Sequence, residues 1–389
     1  MKIAHLTTID MSLRYLLLPQ LEAAREMGES IGISAPGPFV PDLESLGIRH
    51  VALVSSTRGM NLLADLRSIG QLWRVLRRER PDILHTHNPK PGVYGRIVGR
   101  LAGVPIVVNT VHGLYATPES PALKRWIVYG LEWLASRFSD AELIQSPEDY
   151  DLLWRRRIMP RRKLRLLGNG VDLERFRPDP SVRREVRAEL GLDDRTIAVG
   201  LVARLVAEKG VPELIEAAKR LPDRFAVIIV GPRDPEKADS LPEDLLDRAE
   251  EDGVRLLGMR RDVDRIYQAL DLFVLPSHRE GFPRAAMEAA ASGLPVIATD
   301  IRGCRQVVED GVNGYLFPVG EVEALTMAIT RVGEDENLRE RMARESVSRA
   351  AARFDERLVV DKVMGAYADV AAARGLHPAL VSRWGGKVS

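Results

Sequence analysis

The segment of the sequence best suited to chemistry follows a short apolar strand and contains two glutamates. It runs from Leu275 to Asp300 and reads LPSHREGFPRAAMEAAASGLPVIATD. Glu280 lies in a loop, and Glu288 lies nearly two turns into an alanine-rich helix whose first position suits Pro283. The free N–H groups at a helix start favour an anion such as a diphosphate. The two carboxylates can then accept hydrogen bonds from two parts of one long ligand, such as the sugar and the ribose of a nucleotide sugar.

An alternative interpretation makes both glutamates ordinary surface residues, with Glu288 on the solvent side of an amphipathic helix. After Arg284, however, Glu288 is the one charged residue of that helix. Because an alanine-rich helix of this kind is expected to be buried, and a buried carboxylate needs a partner, the composition favours a specific role for Glu288.

Two cations form a second candidate cluster in the segment VGLVARLVAEKGVP, residues 199–212. Arg204 and Lys209 follow an apolar strand and precede a helix that has Pro212 near its start. Cationic side chains beside a helix N-terminus can hold a diphosphate and stabilise it as a leaving group. The alternative is a solvated basic loop, and this segment alone does not decide between the two.

Short β-rich runs alternate with helical patterns along the whole chain, which predicts an α/β fold with parallel sheets and helices on both faces. Several runs are continuously apolar, as expected for strands that are buried on both sides. The candidate strands are residues 3–6, 31–34, 50–53, 83–86, 106–109, 141–145, 163–167, 197–201, 226–230, 254–257, 272–275, 296–299 and 314–317.

The strands form two series, which predicts two doubly wound, Rossmann-like domains separated by a loop and linker near residues 170–180. A chain of 389 residues is also too long for one typical core. We expect a first domain at residues 1–172, a second at 173–354, a helix at 355–374 that packs back on the first domain, and a loose tail without periodicity at 375–389. Ligands bind such sheets at the carboxyl ends of the strands, so the predicted site is a cleft between the domains.

The composition excludes several classes of protein. The net charge is +1, so no global field attracts nucleic acid. A single cysteine, Cys304, excludes an internal disulfide and a cysteine-based zinc site. The sequence shows no signal peptide and no run of roughly 18 apolar residues. We expect a cytoplasmic protein that can contact the inner face of the membrane peripherally.

Taken together, the spacing of Arg204, Lys209, Glu280 and Glu288 resembles the retaining glycosyltransferases of family 4, or group 1, which have the two-domain GT-B fold. The resemblance extends over nearly the whole chain. It includes the segments HTH at residues 85–87, TVHG at 110–113, ATDIRGCR at 298–305 and NGYLF at 313–317.

The resemblance implies a role for each matching residue. Arg204 and Lys209 would bind the donor diphosphate, Glu280 the hydroxyls of the transferred sugar, and Glu288 the nucleotide ribose. Catalysis would depend on Glu280, Arg204, Lys209 and on His112, which would face the donor sugar from the first domain. The remaining donor contacts would come from the loop and helix start around Glu280 and from the loop that holds the base: Gly281, Phe282, Pro283, Gly258 and Met259.

The acceptor side is less defined. Many family members have a glycine-rich loop after the first strand, but residues 7–14 contain no glycine here. Ser12 and Arg14 could bind the acceptor or a phosphate instead. Lys90 is a candidate for contacting an anionic acceptor. His87 either faces the cleft, where it could contact the acceptor, or caps its strand.

The segment 121–138, PALKRWIVYGLEWLASRF, mixes tryptophans with basic residues. It fits either a membrane interface, with a lipid-linked acceptor, or a packing helix of the first domain.

The resemblance implies transfer of a hexose or N-acetylhexosamine from a nucleotide sugar, with UDP as the expected nucleotide and GDP as the other one considered. The acceptor would be a glycan or lipid-linked molecule of cell-envelope polysaccharide or glycoconjugate synthesis. No metal or other cofactor is expected, since protein cations can stabilise the leaving group. The rival functions are a nucleotide-sugar epimerase or a phosphorylase with a similar cleft, and a non-catalytic nucleotide-sugar binding protein.

Overall fold

The structure is a computed structural model that describes residues 1–56, 62–87, 89–118, 120–235, 237 and 239–385. The chain divides into two compact units. Unit 1 comprises Met1–Gly168 together with Arg357–Ser389, and unit 2 comprises Asn169–Glu356. The sequence placed the first boundary at residue 172. It falls earlier because the N–H of Val171 donates to the carbonyl of Phe354 at 2.8 Å, which ties the loop after Gly168 to unit 2.

Unit 1 contains a seven-stranded sheet in which every pairing is parallel. Its order is β3-β2-β1-β4-β5-β6-β7, so the direction of winding reverses between β1 and β4. The two central strands β4 and β5 are buried along their whole length, including the polar side chains at their carboxyl ends. The strands are β1 (Lys2–Ile9), β2 (Glu29–Ala35), β3 (Arg49–Ala52), β4 (Ile83–His87), β5 (Ile106–Val111), β6 (Ala141–Ile144) and β7 (Leu164–Leu166).

Unit 2 repeats this design with a six-stranded parallel sheet of order β10-β9-β8-β11-β12-β13. Its winding reverses between β8 and β11. Ligands of doubly wound sheets bind at such reversal points, beyond the carboxyl ends of the strands. The strands are β8 (Ile197–Val202), β9 (Phe225–Val230), β10 (Arg255–Leu256), β11 (Leu272–Leu275), β12 (Val296–Thr299) and β13 (Gly314–Phe317).

Helices follow most strands, as expected for a parallel sheet that needs long crossover connections. Two short 3₁₀ helices lie at Arg161–Lys163 and Ala207–Lys209. The α-helices are α1 (Asp10–Leu16), α2 (Leu18–Glu26), α3 (Val40–Ser45), α4 (Leu62–Glu79), α5 (Pro89–Leu101), α6 (Ala122–Ala135), α7 (Pro147–Arg155), α8 (Pro180–Glu189), α9 (Val211–Ala218), α10 (Glu243–Glu251), α11 (Val263–Ala269), α12 (Arg284–Ala291), α13 (Arg302–Arg305), α14 (Val322–Glu334), α15 (Glu336–Arg353), α16 (Glu356–Ala373) and α17 (Pro378–Trp384).

The C-terminal segment belongs to the core of unit 1. Helix α16 buries Val363, Met364 and Tyr367 against the sheet face that carries Ile3 and Ile83. The tail contains helix α17, where the sequence predicted loose chain. The helix forms because Pro378 begins it and Leu380 is buried in the same cluster, so tertiary packing stabilises a segment with little periodicity of its own.

The doubly wound α/β fold predicted from the strand–helix alternation is confirmed. Within the described residues, no helix combines the length and hydropathy that a bilayer-spanning segment needs.

Candidate functional site

The predicted cations of unit 2 lie in the connection after β8. Arg204 follows the strand directly, and Lys209 ends the 3₁₀ helix that leads into α9. Gly210 comes next, in a left-handed conformation with a φ of 71°. A Cβ atom at Gly210 would lie 2.0 Å from the carbonyl oxygen of Pro276, so only glycine allows this loop to pack on the loop after β11. Lys209 is thereby held beside the neighbouring strand's end.

Lys209 and Glu280 form an ion pair at this position. The Lys209 Nζ atom donates to Glu280 Oε1 at 2.6 Å, and Ser277 Oγ donates to the same oxygen at 3.0 Å. The loop of Glu280 is packed closely against α13, because a Cβ at Gly303 would lie 2.5 Å from the Glu280 carbonyl oxygen. The structure therefore brings together two predicted site residues from different loops, with the Glu280 carboxylate held by two side chains and its backbone packed against α13.

Arg204 also has a carboxylate partner. Its Nη1 atom donates to Asp234 Oδ2 at 2.5 Å, and Asp234 is nearly buried in the loop after β9. Both cations of the site are thus neutralised by acids of the same sheet edge. A guanidinium has five N–H donors and an ammonium has three, so each cation keeps donors beyond the bond to its acid.

Glu288 lies in α12 with its side chain only 13% exposed, and two side chains hold its carboxylate. Arg284 Nε donates to Oε1 at 3.0 Å, and the Tyr267 hydroxyl donates to Oε2 at 3.2 Å. Burial raises the pKa of Glu288 above its ordinary value, and the positive charge of Arg284 partly opposes this rise. Arg284 also reaches Glu356, with Nη2 at 3.5 Å from Oε2.

The start of α12 offers backbone donors near Glu280. Pro283 is the N-cap residue, and no side chain caps the helix. The amide groups of the first turn thus face a position where an anion is favoured. Phe282 is fixed in the preceding loop by a 3.2 Å hydrogen bond from Asn169 Nδ2 to its carbonyl oxygen. Gly281 lies between Phe282 and Glu280, in the same loop.

Gly258 and Met259 follow the edge strand β10, two strands from β8 in the sheet order. The Gly258 carbonyl accepts a 2.8 Å hydrogen bond from the N–H of Gly231, and Met259 is 45% exposed. The predicted donor-binding residues are therefore spread along one edge of the sheet, beyond the carboxyl ends of β10, β9, β8 and β11. An elongated ligand fits this arrangement better than a compact one.

Sequence reasoning missed several neighbours of these residues. Asp234 and Tyr267 contact the predicted residues but carry no spacing signal, since they come from other segments of the chain, whereas Ser277 lies only three residues before Glu280. Glu208 was also missed. It binds Arg279 Nη2 at 2.9 Å and accepts from the His278 N–H at 2.9 Å through its carbonyl, so it ties the Lys209 loop to the Glu280 loop.

In unit 1, His112 follows β5 and is partly exposed. Its Nε2 atom lies 3.1 Å from Nδ1 of His87, and its ring also has a hydrogen bond with Gln145. Burial lowers the pKa of His112 to about 4, which the bond to Gln145 partly opposes. His87 is fully buried, which leaves it no exposed atom for the predicted contact with an acceptor.

The other predicted acceptor residues follow β1 and β4, on either side of the reversal point of unit 1. Ser12 and Arg14 lie in α1, and the Arg14 guanidinium stacks 5.6 Å from the Tyr15 ring centre. Lys90 lies in the first turn of α5 and donates to Asp65 at 2.6 Å. The preceding residue of the predicted loop, Asn88, lies outside the described residues. The structure places these side chains at one sheet edge but does not join them in one cluster.

One group of described residues has the composition of a metal site. His5, His85 and His87 are fully buried and each has a ring nitrogen within 4.8 Å of the others. These nitrogens already make hydrogen bonds to side chains, apart from Nε2 of His5, which has no partner among the described residues.

Comparisons with known proteins agree with this arrangement. Residues 182–349 match the family model "Glycosyl transferases group 1", and residues 21–175 match "Glycosyltransferase Family 4". The UDP-Gal:alpha-D-GlcNAc-diphosphoundecaprenol alpha-1,3-galactosyltransferase of Escherichia coli is 31% identical over 340 residues, which cover 86% of this chain and 87% of that protein.

A second relative and a solved structure match over a larger share of the chain. The capsular polysaccharide biosynthesis glycosyltransferase CapM of Staphylococcus aureus is 28% identical over 376 residues, with 94% of this chain and 96% of CapM covered. The crystal structure of Anabaena HepE in complex with UDP superimposes with a TM-score of 0.78 at 24% identity. The match covers 96% of this chain and 100% of HepE.

Proposed function

The chain belongs to the group 1 glycosyltransferases of family 4, as its motifs predicted, and from this premise we propose its specific reaction. It transfers a hexose or N-acetylhexosamine from a UDP-sugar to a glycan or lipid-linked acceptor during synthesis of a cell-envelope polysaccharide or glycoconjugate, with retention of anomeric configuration. One observation carries the proposal. Lys209 and Glu280 pair across the loops after β8 and β11, the two strands of the winding reversal of unit 2, with Arg204 in the first loop and Glu288 in the helix that follows the second.

The cations are assigned to the donor diphosphate. Arg204 and Lys209 each keep N–H donors after binding their acids, and the uncapped start of α12 adds backbone N–H groups. In the reaction, the bond between the anomeric carbon and a phosphate oxygen breaks while the acceptor oxygen bonds to that carbon. The electron pair stays with the diphosphate, and the departing phosphate oxygen takes the acceptor's proton. Fixed positive charge stabilises this leaving group more than the intact donor.

The glutamates are assigned to hydroxyl groups of the donor. Glu280 Oε1 is occupied by Lys209 and Ser277, while Oε2 has no hydrogen bond from a described residue. That oxygen is positioned to accept from the transferred sugar. Glu288, held by Tyr267 and Arg284, is assigned to the ribose. His112 is assigned to the transferred sugar, from unit 1.

We propose that donor binding needs no divalent cation. Two protein cations and a helix N-terminus supply the positive charge that a metal would otherwise provide at a diphosphate. Transfer should therefore persist at an undiminished rate after exhaustive treatment with EDTA. A rate restored by added Mg²⁺ or Mn²⁺ would show that this part of the proposal is wrong.

The donor and acceptor classes rest on the named relatives. The E. coli relative is named for a UDP-Gal donor and an acceptor sugar on diphosphoundecaprenol, and CapM for capsular polysaccharide biosynthesis. Both are named as transferases, so an epimerase or phosphorylase is not favoured. A binding protein without turnover is excluded if labelled sugar appears in a product.

Donor binding is tested by a panel of nucleotide sugars scored by thermal shift. A donor at about 100 times its Kd should stabilise the protein by about 2.7 kcal/mol. Arg204→Ala should abolish the shift, whereas Arg233→Ala should preserve it, since Arg233 is an exposed arginine of the same unit paired with Glu243. An equal shift in both variants would remove Arg204 from the diphosphate site.

Transfer is tested with the stabilising donor and a GlcNAc-diphosphopolyprenol acceptor. Mass spectrometry should show one added sugar, and the anomeric proton coupling of the product should match that of the donor. Glu280→Gln should reduce kcat by about 10²-fold or more, because a misoriented hydroxyl contact is costly in the transition state. An inverted product would contradict the retaining assignment.

We also propose that α6 rests on an anionic membrane surface. The outward side of the helix carries large apolar residues, with Trp126 80% and Leu123 73% exposed, together with Ile127, Leu131, Trp133 and Leu134. Its single acid, Glu132, points inward and binds the buried Arg96. The exposed side therefore presents only apolar and basic groups.

Basic residues stack on tryptophans of α6 and α7. Arg137 stacks 4.4 Å above the Trp133 ring, and Arg161 lies 4.8 Å from the ring centre of Trp154. Tryptophans beside cations suit the interface of an anionic bilayer, where the rings enter the headgroup region and the cations meet phosphates. Docking there would bring the enzyme to a lipid-linked acceptor.

Vesicle flotation tests this contact. The protein should float with vesicles that contain phosphatidylglycerol, and binding should weaken at high salt. Trp126→Ser combined with Leu123→Ser should reduce binding strongly, while Trp73→Ser, which changes an exposed tryptophan of α4, should not. Equal binding by all three proteins would contradict docking through α6.

A further inference from the structure

A row of hydrogen-bonded side chains crosses unit 1 and ends at His112. His5 lies on β1, His87 at the end of β4, His112 just after β5 and Gln145 just after β6. These four strands are consecutive neighbours in the sheet, in the order β1-β4-β5-β6. The row therefore follows directly from the sheet order, although its members are far apart in the sequence.

The contacts of the row are continuous. His5 Nδ1 lies 3.1 Å from His87 Nε2, and His87 Nδ1 lies 3.1 Å from His112 Nε2. The His112 ring has a hydrogen bond with Gln145, and since His87 occupies Nε2, we assign that bond to Nδ1. The His85 ring lies 4.0 Å from that of His87, centre to centre, but stays outside the row, because its two nitrogens contact the Tyr367 hydroxyl at 2.6 Å and the Thr110 hydroxyl at 2.7 Å.

The rings of the row are neutral at physiological pH. Burial lowers the pKa of His5 to about 3 and that of His112 to about 4, and it holds the pKa of His87 well below its ordinary value. A neutral imidazole carries one proton, so it donates from one nitrogen and accepts at the other. All bonds of the row must then point in the same direction, and the state of one end determines the tautomer of every ring.

The His5 end decides that direction. Its Nε2 atom is buried and has no hydrogen-bond partner among the described residues. A buried donor without an acceptor is rarer in native proteins than a buried acceptor with an unused lone pair. His5 therefore keeps its proton on Nδ1 and donates to His87. His87 in turn donates from Nδ1 to His112, and His112 donates from Nδ1 to the Gln145 carbonyl oxygen.

We propose that His5, His87 and Gln145 are positioning residues that hold His112 as the Nδ1–H tautomer with both ring nitrogens occupied. Because both nitrogens are occupied, His112 meets the transferred sugar through its ring C–H groups or its backbone, as a fixed neutral group, and it transfers no proton in the reaction. The row cannot conduct a proton either, because it ends in a buried nitrogen at His5. This inference rests on the assignment of His112 to the substrate and sharpens it, since it leaves the departing phosphate to take the acceptor's proton.

The tautomer is measured in the free enzyme, independently of any transfer activity. Long-range ¹H–¹⁵N correlation of ¹⁵N-histidine-labelled protein distinguishes protonated from bare ring nitrogens. We expect a protonated Nδ1 and a bare Nε2 at His112, unchanged from about pH 6 to pH 8 because its pKa lies well below that range. A protonated Nε2 at His112 would overturn the proposal, even if the protein proves to be an active transferase.

Matched variants separate positioning from simple packing. His5→Leu removes the donor at the start of the row and should give His112 a mixture of tautomers, with kcat lowered about tenfold and the KM for the donor little changed. His5→Asn can still donate near the Nδ1 position, so it should restore both the single tautomer of His112 and the wild-type kcat. In Gln145→Glu the carboxylate can only accept a hydrogen bond, so His112 should keep its Nδ1–H tautomer. In Gln145→Leu no acceptor remains, so the tautomer should not be kept.

Tyr367→Phe is the control, because it removes an equally buried hydrogen bond to His85 outside the row. It should leave the tautomer of His112 and kcat unchanged. If it alters them as much as His5→Leu does, the row has no special role. One equivalent of bound metal in the purified protein, lost on substitution of His5 or His85, would also overturn the proposal, since these rings would then be ligands.

Discussion

Each cation assigned to the donor diphosphate already has an acid as its partner. Lys209 binds Glu280, and Arg204 binds Asp234. The Lys209–Glu280 pair is mostly shielded from water, with side-chain exposures of 18% and 13%. In the absence of substrate these pairs avoid unpaired charge in a partly buried site. An arriving diphosphate must share or displace these contacts, so its binding depends on how firmly the acids hold the cations.

Removing Lys209 alone should be more harmful to stability than removing both partners. Lys209→Met leaves the Glu280 carboxylate with Ser277 as its remaining side-chain donor among the described residues, and should lower the free energy of unfolding by about 2 kcal/mol. The double variant Lys209→Met with Glu280→Gln should lose less than the sum of the single changes. Urea unfolding of all four proteins measures this coupling.

The control for this cycle is Lys219→Met, because Lys219 is 47% exposed and its nearest acid oxygens lie at 3.4 Å and 3.8 Å. It should change stability by no more than about 0.5 kcal/mol. Additive losses in the double variant would show that Lys209 and Glu280 do not depend on each other.

Glu288 gives the folded protein a distinctive response to pH. Its pKa is raised above 4.5 by burial, whereas the unfolded chain titrates near the ordinary value. Between these two pKa values the folded protein binds a proton that the unfolded chain has lost, so this contribution to stability falls as the pH rises. The glutamine of Glu288→Gln cannot ionise, so this variant lacks the pH-dependent contribution to stability.

The stability of the wild type relative to Glu288→Gln should therefore decrease between about pH 4.5 and pH 7. Urea unfolding at several pH values measures the difference, with the exposed Glu185→Gln as a control that should show little change. A difference that grows with pH would mean that the carboxylate is stabilised, rather than strained, by its surroundings.

The loops after β8 and β11 take their shape from close contacts that only glycine permits. Gly210 lets the Lys209 loop approach Pro276, and Gly303 in α13 lets the Glu280 loop approach that helix. Glu208 and Arg279 then join the two loops by an ion pair. The position of the Lys209–Glu280 pair is thus a property of the packed loops and of α13, more than of either side chain alone.

Gly303→Ala should disturb the site without touching a predicted ligand contact. The new Cβ would lie 2.5 Å from the Glu280 carbonyl oxygen and 2.8 Å from its Cβ, so the loop must move. We expect stability to fall by about 1–3 kcal/mol and kcat/KM by about 10²-fold, as for overpacking beside an active site. Steady-state kinetics and thermal unfolding measure both effects.

Gly70→Ala is the matched control, because a Cβ there meets no atom within 4 Å in the exposed face of α4. It should preserve activity and raise stability slightly, since alanine favours a helix interior. Normal kinetics in Gly303→Ala would show that the Glu280 loop tolerates displacement.

The chain returns to unit 1 after completing unit 2, and this return is part of the unit 1 core. Tyr367 of α16 reaches His85 beneath the sheet, and Leu380 of α17 is 1% exposed among residues of α16 and the sheet. Arg374 bonds the Pro105 carbonyl at 2.7 Å. Unit 1 therefore cannot reach its full stability until the last residues of the chain are in place.

Leu380→Ala should weaken unit 1 selectively, by about 2 kcal/mol or more, as other truncations of buried leucines do. Hydrogen exchange should speed up in β1, β4 and α16 and stay unchanged in α12 and β12. Leu358→Ala changes a leucine of α16 that is 50% exposed and should have little effect. Faster exchange throughout both units would contradict a role confined to unit 1.

Local patterns in the sequence were enough to predict the thirteen strands, the two series they form and the family to which the chain belongs. Apolar runs and helix starts depend on nearest neighbours, so they can be identified without knowing the partner segments. The glutamates at positions 280 and 288 were identifiable for the same reason, because both lie within one continuous strand–loop–helix segment.

Only the tertiary structure decided which side chains meet. Lys209 binds an acid 71 residues away because β8 lies beside β11, and Asp234 and Tyr267 reach the site from segments with no motif of their own. The row of imidazoles and the ordered tail helix arise in the same way. Side-chain partners are set by sheet order and by packing of distant segments, and neither property is encoded in the spacing of neighbouring residues.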